Sequence, residues 1–262
     1  MFGRSLDWIN SRDKTFLLLQ ATNRLLNRIE WQNYTLDVVP GHVEYEQVEG
    51  AERDDYMLYN SADAFDRTPD NFLTLKLYDD EGILRACQCI RFEQLGELSL
   101  EAFHQVQFGR IHAGHFSKGK PADYQINPAA KQITGKTVFH GDLIVSPKHR
   151  LPAGLLETFC VMSFFLALQK WDHDYSWAYL REKHVRSSVA MRYSLLHQYP
   201  MAILWEEKPD VHFTSDWFAF NSRSDIEYLA KVTILNDLQG GNRTTDTAFP
   251  LGSRLVSPSD ST

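Results

Sequence analysis

Apolar residues recur at helical spacing between residues 6 and 30, where Leu18, Leu25 and Ile29 form one stripe with Leu19 and Leu26 beside it. This spacing predicts an amphipathic helix, with Pro40-Gly41 closing the connection after it. Beyond that point the period changes. "HVEYEQV" alternates as a strand, and "AERDDYMLYNSADAF" has the charged and apolar faces of a helix. The clearest alternation is "NFLTLKLYDDEGILRACQCIRFE", two runs of strand-forming residues around Asp79-Asp80-Glu81-Gly82. It predicts a hairpin whose glycine supplies the positive φ of the turn. Residues 97–106 predict a short helix. From 107 to 137 the chain is rich in Gly, His, Lys and other polar residues with little periodicity, and a loop of that length in a compact domain carries function or is disordered.

"TVFHGDLIVSP" predicts the next strand and is followed by a long helix from about 153 to 170. "YSWAYL" predicts a short strand and "EKHVRSSVAMRYSLLHQ" an amphipathic helix that Pro200 stops. "MAILWEE" and "HFTSDWFAFN" read as closing strands, and Gly240 to Thr262 as a mobile tail. No internal repeat is visible. Strands and helices mix without strict alternation, which predicts the α/β class: a mixed sheet with helices on both faces. The expected organisation is a helical extension over 1–36, one domain over 37–235 and a flexible tail over 236–262.

Composition narrows the function classes. Of 262 residues, 43% are hydrophobic, enough for a substantial core. The net charge of -7 argues against broad nucleic-acid binding, which needs a basic face, but allows local basic pockets. The apolar stretch "AGLLETFCVMSFFLAL" is interrupted by Glu157, Thr158 and Ser163 and is shorter than the ~20 residues of a membrane span. With a polar start, no signal peptide is expected, and the chain reads as a cytoplasmic protein without a membrane span. Three cysteines are too few for a disulfide framework; Cys87 and Cys89 point to one face of a strand, and Cys160 reads as core. His112 and His115 form a lone H-x-x-H without a third ligand, and "WDHD" at 171–174 reads as a polar turn, so no metal site is expected.

The candidate chemistry lies at "DLIVSPKHRLPAGLLE", residues 142–157. A strand meets Pro147, turns through Lys148, His149 and Arg150, and opens into a helix at Ala153-Gly154. Small residues at a helix start let backbone amides approach a ligand, and a helix N-terminus favours negative charge. Lys148 and Arg150 can pair with phosphate oxygens. On local residues alone, the turn either holds a phosphate or only reverses the chain.

This segment resembles the acyl-CoA motif of the GCN5-related N-acetyltransferase superfamily, in which a strand ends in valine, any residue, proline, two residues and arginine before a glycine-rich turn and a helix. Val145, Pro147 and Arg150 match that spacing. Leu151, Ala153 and Leu155 stand at the usual small positions, and Gly154 is the one glycine, one place out of register. "LKLYDDEGILRACQCI" is similar to the second and third strands of the family, and "YSWAYLREKHVRSSVAMRYSLLHQYP" to its fifth strand and following helix. Gln198-Tyr199-Pro200 replaces the usual Gly-Phe. The layout also resembles the branch of N-acyl amino acid synthases and acyl-homoserine-lactone synthases, which carry an extra N-terminal helix.

The resemblance implies an acyltransferase moving an acyl group from a coenzyme A or acyl carrier protein thioester to a small amine, with no tightly bound cofactor. Backbone at Leu143, Ile144 and Val145 would hold the acyl carbonyl and pantetheine arm. Amides from Lys148, His149 and Arg150 through Ala153 and Gly154, with the Arg150 side chain, would hold the pyrophosphate. Tyr193 stands near the position of a tyrosine that protonates the departing thiolate. For the base, His140 and Asp142 are the candidates, because alternation places them on one strand face and neutral histidine suits proton abstraction. Two other readings stay open: a non-catalytic module that keeps the fold, and an interaction protein whose N-terminal helix docks a partner, with oligomers allowed.

Overall fold

The computed structural model describes residues 14–41, 48–51, 65–111, 124–186, 192–206 and 216–240. The amphipathic stripe forms α1 (Lys14–Trp31), burying Leu17, Leu18, Ala21, Leu25 and Ile29. Its apolar face packs on α3 (Leu155–Trp171) and α5 (Arg223–Gly240), inside the main hydrophobic core. The N-terminal helix is therefore part of that core, so its buried face is not available to a partner.

Among the described residues, seven strands form one sheet in the order β1 (Thr35–Pro40), β2 (Phe72–Tyr78), β3 (Leu84–Gln94), β5 (Lys136–Val145), β6 (Tyr175–Arg181), β9 (Asp216–Ser222) and β7 (His197–Tyr199). All neighbours are antiparallel except β5 and β6. Helices α1, α3 and α5 cover one face. The other carries α2 (Leu100–Ile111), a 3-10 turn over Pro128–Gln132 and a two-stranded ribbon of β4 (Tyr124–Ile126) with β8 (Ile203–Trp205). This is the expected mixed α/β architecture. Helix α3 buries residues all round its axis because it lies between the sheet and two other helices, which explains its near-continuous apolar sequence.

The β2–β3 hairpin forms as its alternation indicates. Asp79 Oδ1 accepts from the amides of Glu81 and Ile83, and Gly82 takes φ +73°. Several elements differ from the sequence reading. Thr35–Pro40 is a strand although only half-buried, and residues 223–240 form α5, whose mixed polar and apolar residues gave no strong apolar signal. The helix expected over 182–198 includes α4 (Glu182–Arg186), but His197–Tyr199 pairs with β9 as β7. The stretch 107–137 contains the end of α2, β4 and the 3-10 turn. Most of the strand expected in "HVEYEQV", most of the helix expected in "AERDDYMLYNSADAF", and His112, His115 and the tail from 241 onward lie outside the described residues. Asp172–Asp174 form the expected polar turn: Asp172 caps α3 in the left-handed conformation and pairs with Arg223. Among the described residues no helix is long and apolar enough to cross a membrane, and no cluster of ligating side chains could hold a metal.

Candidate functional site

The parallel pair β5–β6 is in register only over Thr137–Phe139 against Tyr175–Trp177. Beyond it, β6 stays with β9 through Arg181, and β5 stays with β3 through Val145. The two strands therefore part, leaving one edge of β5 without a strand partner among the described residues. Between them opens a cavity of about 440 Å³ whose walls include Leu143, Val145, Leu156 and Leu180. Pro147, Arg181, Lys183 and His184 line it as well.

A bulge in β5 shapes this cleft. Cys89 faces Gly141 and Cys87 faces Ile144, so Asp142 and Leu143 together oppose Gln88. Asp142 takes φ +48°, an uncommon conformation for a residue with a side chain. Before the bulge Val138 packs in the core under α3, and His140 meets Phe164 of that helix. After it Leu143 and Val145 do so, while Ile144 joins a cluster with Val48 and Cys87. The two-residue period assumed along this strand is interrupted at the bulge, where Asp142 and Leu143 share one position opposite Gln88.

Both residues are nevertheless buried and line the cleft. His140 places Nε2 3.1 Å from Ser176 Oγ and Nδ1 3.2 Å from Ser163 Oγ, with Gln88 Nε2 at 3.4 Å. Ser176 Oγ in turn lies 2.8 Å from His173 Nε2. Burial, with His173 nearby, holds the His140 imidazole well below the ordinary range, and burial pushes His173 down to about 4. Both are neutral at pH 7, linked through one serine.

Tyr193 is the third candidate that the fold brings to the cleft. It lies in the turn before β7, followed by Ser194 at φ +56°. Buried Asn221 fixes this turn: its Nδ2 donates to the Ser194 carbonyl at 2.9 Å, and its Oδ1 accepts from the Leu196 amide at 2.7 Å. Gln88 Nε2 donates to Tyr193 Oη. Burial, reinforced by neighbouring Cys160 and Asp142, holds the phenol well above its ordinary pKa, so it stays protonated.

The turn after β5 is anchored from beneath. Ser146 Oγ donates to the Glu49 carbonyl at 2.9 Å, Tyr34 Oη lies 2.7 Å from His149 Nε2, and the Lys148 stem lies over Gly50, where an added Cβ would meet it at 3.0 Å. The Lys148 and His149 amides turn back to Ser146, at 3.3 and 3.5 Å. Gly154 precedes α3 at φ +78°, without a side-chain cap. The Leu155 amide donates to the Pro152 carbonyl at 3.2 Å, while the next amides of the first turn, including that of Leu156 at the cleft, keep the donor capacity of a helix start. Lys148 and Arg150 are exposed at this end, and His149 is half-buried against Tyr34. Of the expected binding residues, Leu143, Ile144 and Val145 line the cavity itself, while Lys148, His149, Arg150, Ala153 and Gly154 do not and lie in the chain between the lining residues Pro147 and Leu156.

Sequence reasoning missed Gln88, Ser163 and Ser176, which join His140 and Tyr193 into one buried cluster. A polar residue in the interior of the apolar β3 and α3 runs was the available signal. Also missed was the far wall, Ala178 to Arg181 with Lys183 and His184.

No protein-family model and no curated protein matches this chain. Among solved structures it is similar to FeeM, an N-acyl amino acid synthase from uncultured soil microbes, at 15% identity over 79% of this chain and 86% of that one, with a TM-score of 0.35. It is also similar to mutant forms of the spermidine/spermine N-acetyltransferase SpeG from Vibrio cholerae (7% identity, 62% and 70% of the chains, TM-score 0.35). A third is RimJ of Mycobacterium smegmatis in complex with CoA-disulfide (9% identity, 63% and 59%, TM-score 0.37). At these identities and scores the likeness assigns no residue a role.

Proposed function

We propose that this chain is an N-acyltransferase that takes an acyl group from a coenzyme A or acyl carrier protein thioester and passes it to an amine. The observation that carries this reading is the parting of β5 from β6 beside a buried, protonated tyrosine. An open strand edge offers N–H and C=O groups to an extended, amide-bearing arm, which adds to it as a further strand would. Pantetheine is such an arm. The start of α3, with Lys148 and Arg150 beside it, suits the phosphates at the far end of that arm.

In the reaction the amine nitrogen attacks the thioester carbonyl carbon and the C–S bond breaks. The sulfur leaves with the electron pair and takes a proton from Tyr193 Oη. The nitrogen gives up one proton, so the tyrosinate is reprotonated without net proton consumption. A phenol kept neutral by burial is suited to this donation. His140 and Asp142, both lining the cleft beside Tyr193, are the candidates to take the amine's proton.

Calorimetric titration with free coenzyme A, acetyl-CoA and longer acyl-CoAs, followed by an acylated carrier protein, tests the donor half. Free-thiol release across a panel of amines tests transfer. Binding of a thioester with thiol release is the expected result. Binding without release with every amine would instead mark a non-catalytic module, and binding of no donor would overturn the reading.

A further inference from the structure

Gln88 is fully buried, in the middle of an apolar strand, opposite the two bulged residues Asp142 and Leu143. An uncharged amide in such a place is costly unless its hydrogen bonds serve the structure or the chemistry. Its Nε2 donates to Tyr193 Oη and reaches His140 Nδ1 at 3.4 Å, while its Oε1 has no partner. The arrangement is therefore poor as a purely structural bond, since one end of the amide stays unsatisfied in the core.

The direction of the bond to Tyr193 matters more than its strength. Because the amide donates, the tyrosine oxygen accepts, and the phenol's own hydrogen is not used by Gln88. No protein acceptor among the described residues takes that hydrogen, and Tyr193 lines the cleft. A carboxylate at position 88 would do the reverse, accepting the hydrogen and drawing it away. We infer that Gln88 is a positioning residue: by donating to Tyr193 Oη it keeps the phenol hydrogen directed into the cleft, toward the sulfur that leaves. The bulge belongs to the same device, since two residues of β5 face Gln88 at this point and open the space beside it.

This inference rests on the acyl-transfer reading, and the experiment separates the two. Steady-state kinetics are measured for wild type, Gln88→Met, Tyr193→Phe and the double variant, with two thioester donors of matched size. One donor releases an alkyl thiol and the other a more acidic fluoroalkyl thiol. Gln88→Met is expected to lower kcat about tenfold with the alkyl donor, the effect of one hydrogen bond to the transferring group, with KM for the donor unchanged. The deficit is expected to shrink with the fluoroalkyl donor, which needs less protonation, and to vanish in the Tyr193→Phe background. Gln88→Glu is expected to lose more than Gln88→Met, despite its closer shape. Should Gln88→Met fail to fold, Gln88→Asn, which shortens the amide away from the hydroxyl, carries the same comparison.

An equal deficit with both donors, a further loss in the Tyr193→Phe background, or an unchanged kcat would overturn the positioning role while leaving the acyltransferase standing. A wild type that consumes neither these donors nor any acyl-CoA or acylated carrier protein would overturn the acyltransferase reading, and this inference with it.

Discussion

Strand β5 is two strands in one. Its first half, through Phe139, pairs on both edges and sits in the core: Val138 and Phe139 are fully buried, and Phe139 packs 4.6 Å from Trp177 and under Arg91. Its second half, from His140 to Val145, keeps β3 but loses β6, gains a bulge and becomes the wall of a cavity. The difference teaches where stability and chemistry separate along one chain segment. Continuous ladders satisfy the backbone and exclude water. Breaking one ladder on one side leaves backbone groups and polar side chains available to a ligand, while α3 and β3 still hold them in place.

The contrast predicts different outcomes for substitutions on either side of the bulge. The largest effect on folding belongs to the closed half: Phe139→Ala is expected to cost about 3–5 kcal/mol by urea denaturation. A loss under about 1 kcal/mol would mean that the paired half is not the anchor described. On the open side the largest effect is on rate. Tyr193→Phe is expected to lower kcat about 100-fold, or ~2.7 kcal/mol in the barrier, with the fold intact by circular dichroism.

The polar cluster beneath the bulge ties the two halves together and gives a pH test. His173 has a folded pKa near 4 against an ordinary value of 6.5, and His140 is depressed as well. As pH falls below about 6.5 the unfolded chain takes up protons that the folded one refuses. Stability is therefore full above that value and is lost as pH falls toward 4, by about 2 kcal/mol at pH 5 from His173 alone. Chemical denaturation at pH 7 and pH 5 reads this loss, and His173→Gln should flatten it. The smallest effect is at the rim. Arg150→Ala is expected to weaken coenzyme A binding about tenfold, while changing stability by no more than about 0.5 kcal/mol, since the side chain is exposed. Calorimetry and thermal melting read the two quantities.

Much of the frame was legible because its signals were local. The leucine stripe of α1, the β2–β3 hairpin with its glycine, and the strand-turn-helix through Val145, Pro147 and Gly154 depend on periodicity and turn chemistry alone. The site was legible only in part. His140, Asp142 and Tyr193 do meet at one cleft, but the bulge that sets Asp142 and Leu143 together opposite Gln88 depends on pairing with β3, which no local pattern encodes. Gln88 lies 105 residues from Tyr193, and their contact is a product of the sheet order. Helix α5 and strand β1 escaped notice because tertiary packing, not a strong apolar period, fixes them.

Hydrogen exchange at the backbone amides of β5, with and without an acyl thioester, tests the division of this strand most directly. Amides of Thr137–Phe139 should be protected in both states. Among the amides of Gly141–Val145, those directed at the cleft should gain protection only when an acyl-CoA or acylated carrier protein is present. Equal exchange with and without every donor, or protection that appears away from the cleft, would contradict the claim that the open half of β5 is where a thioester lies.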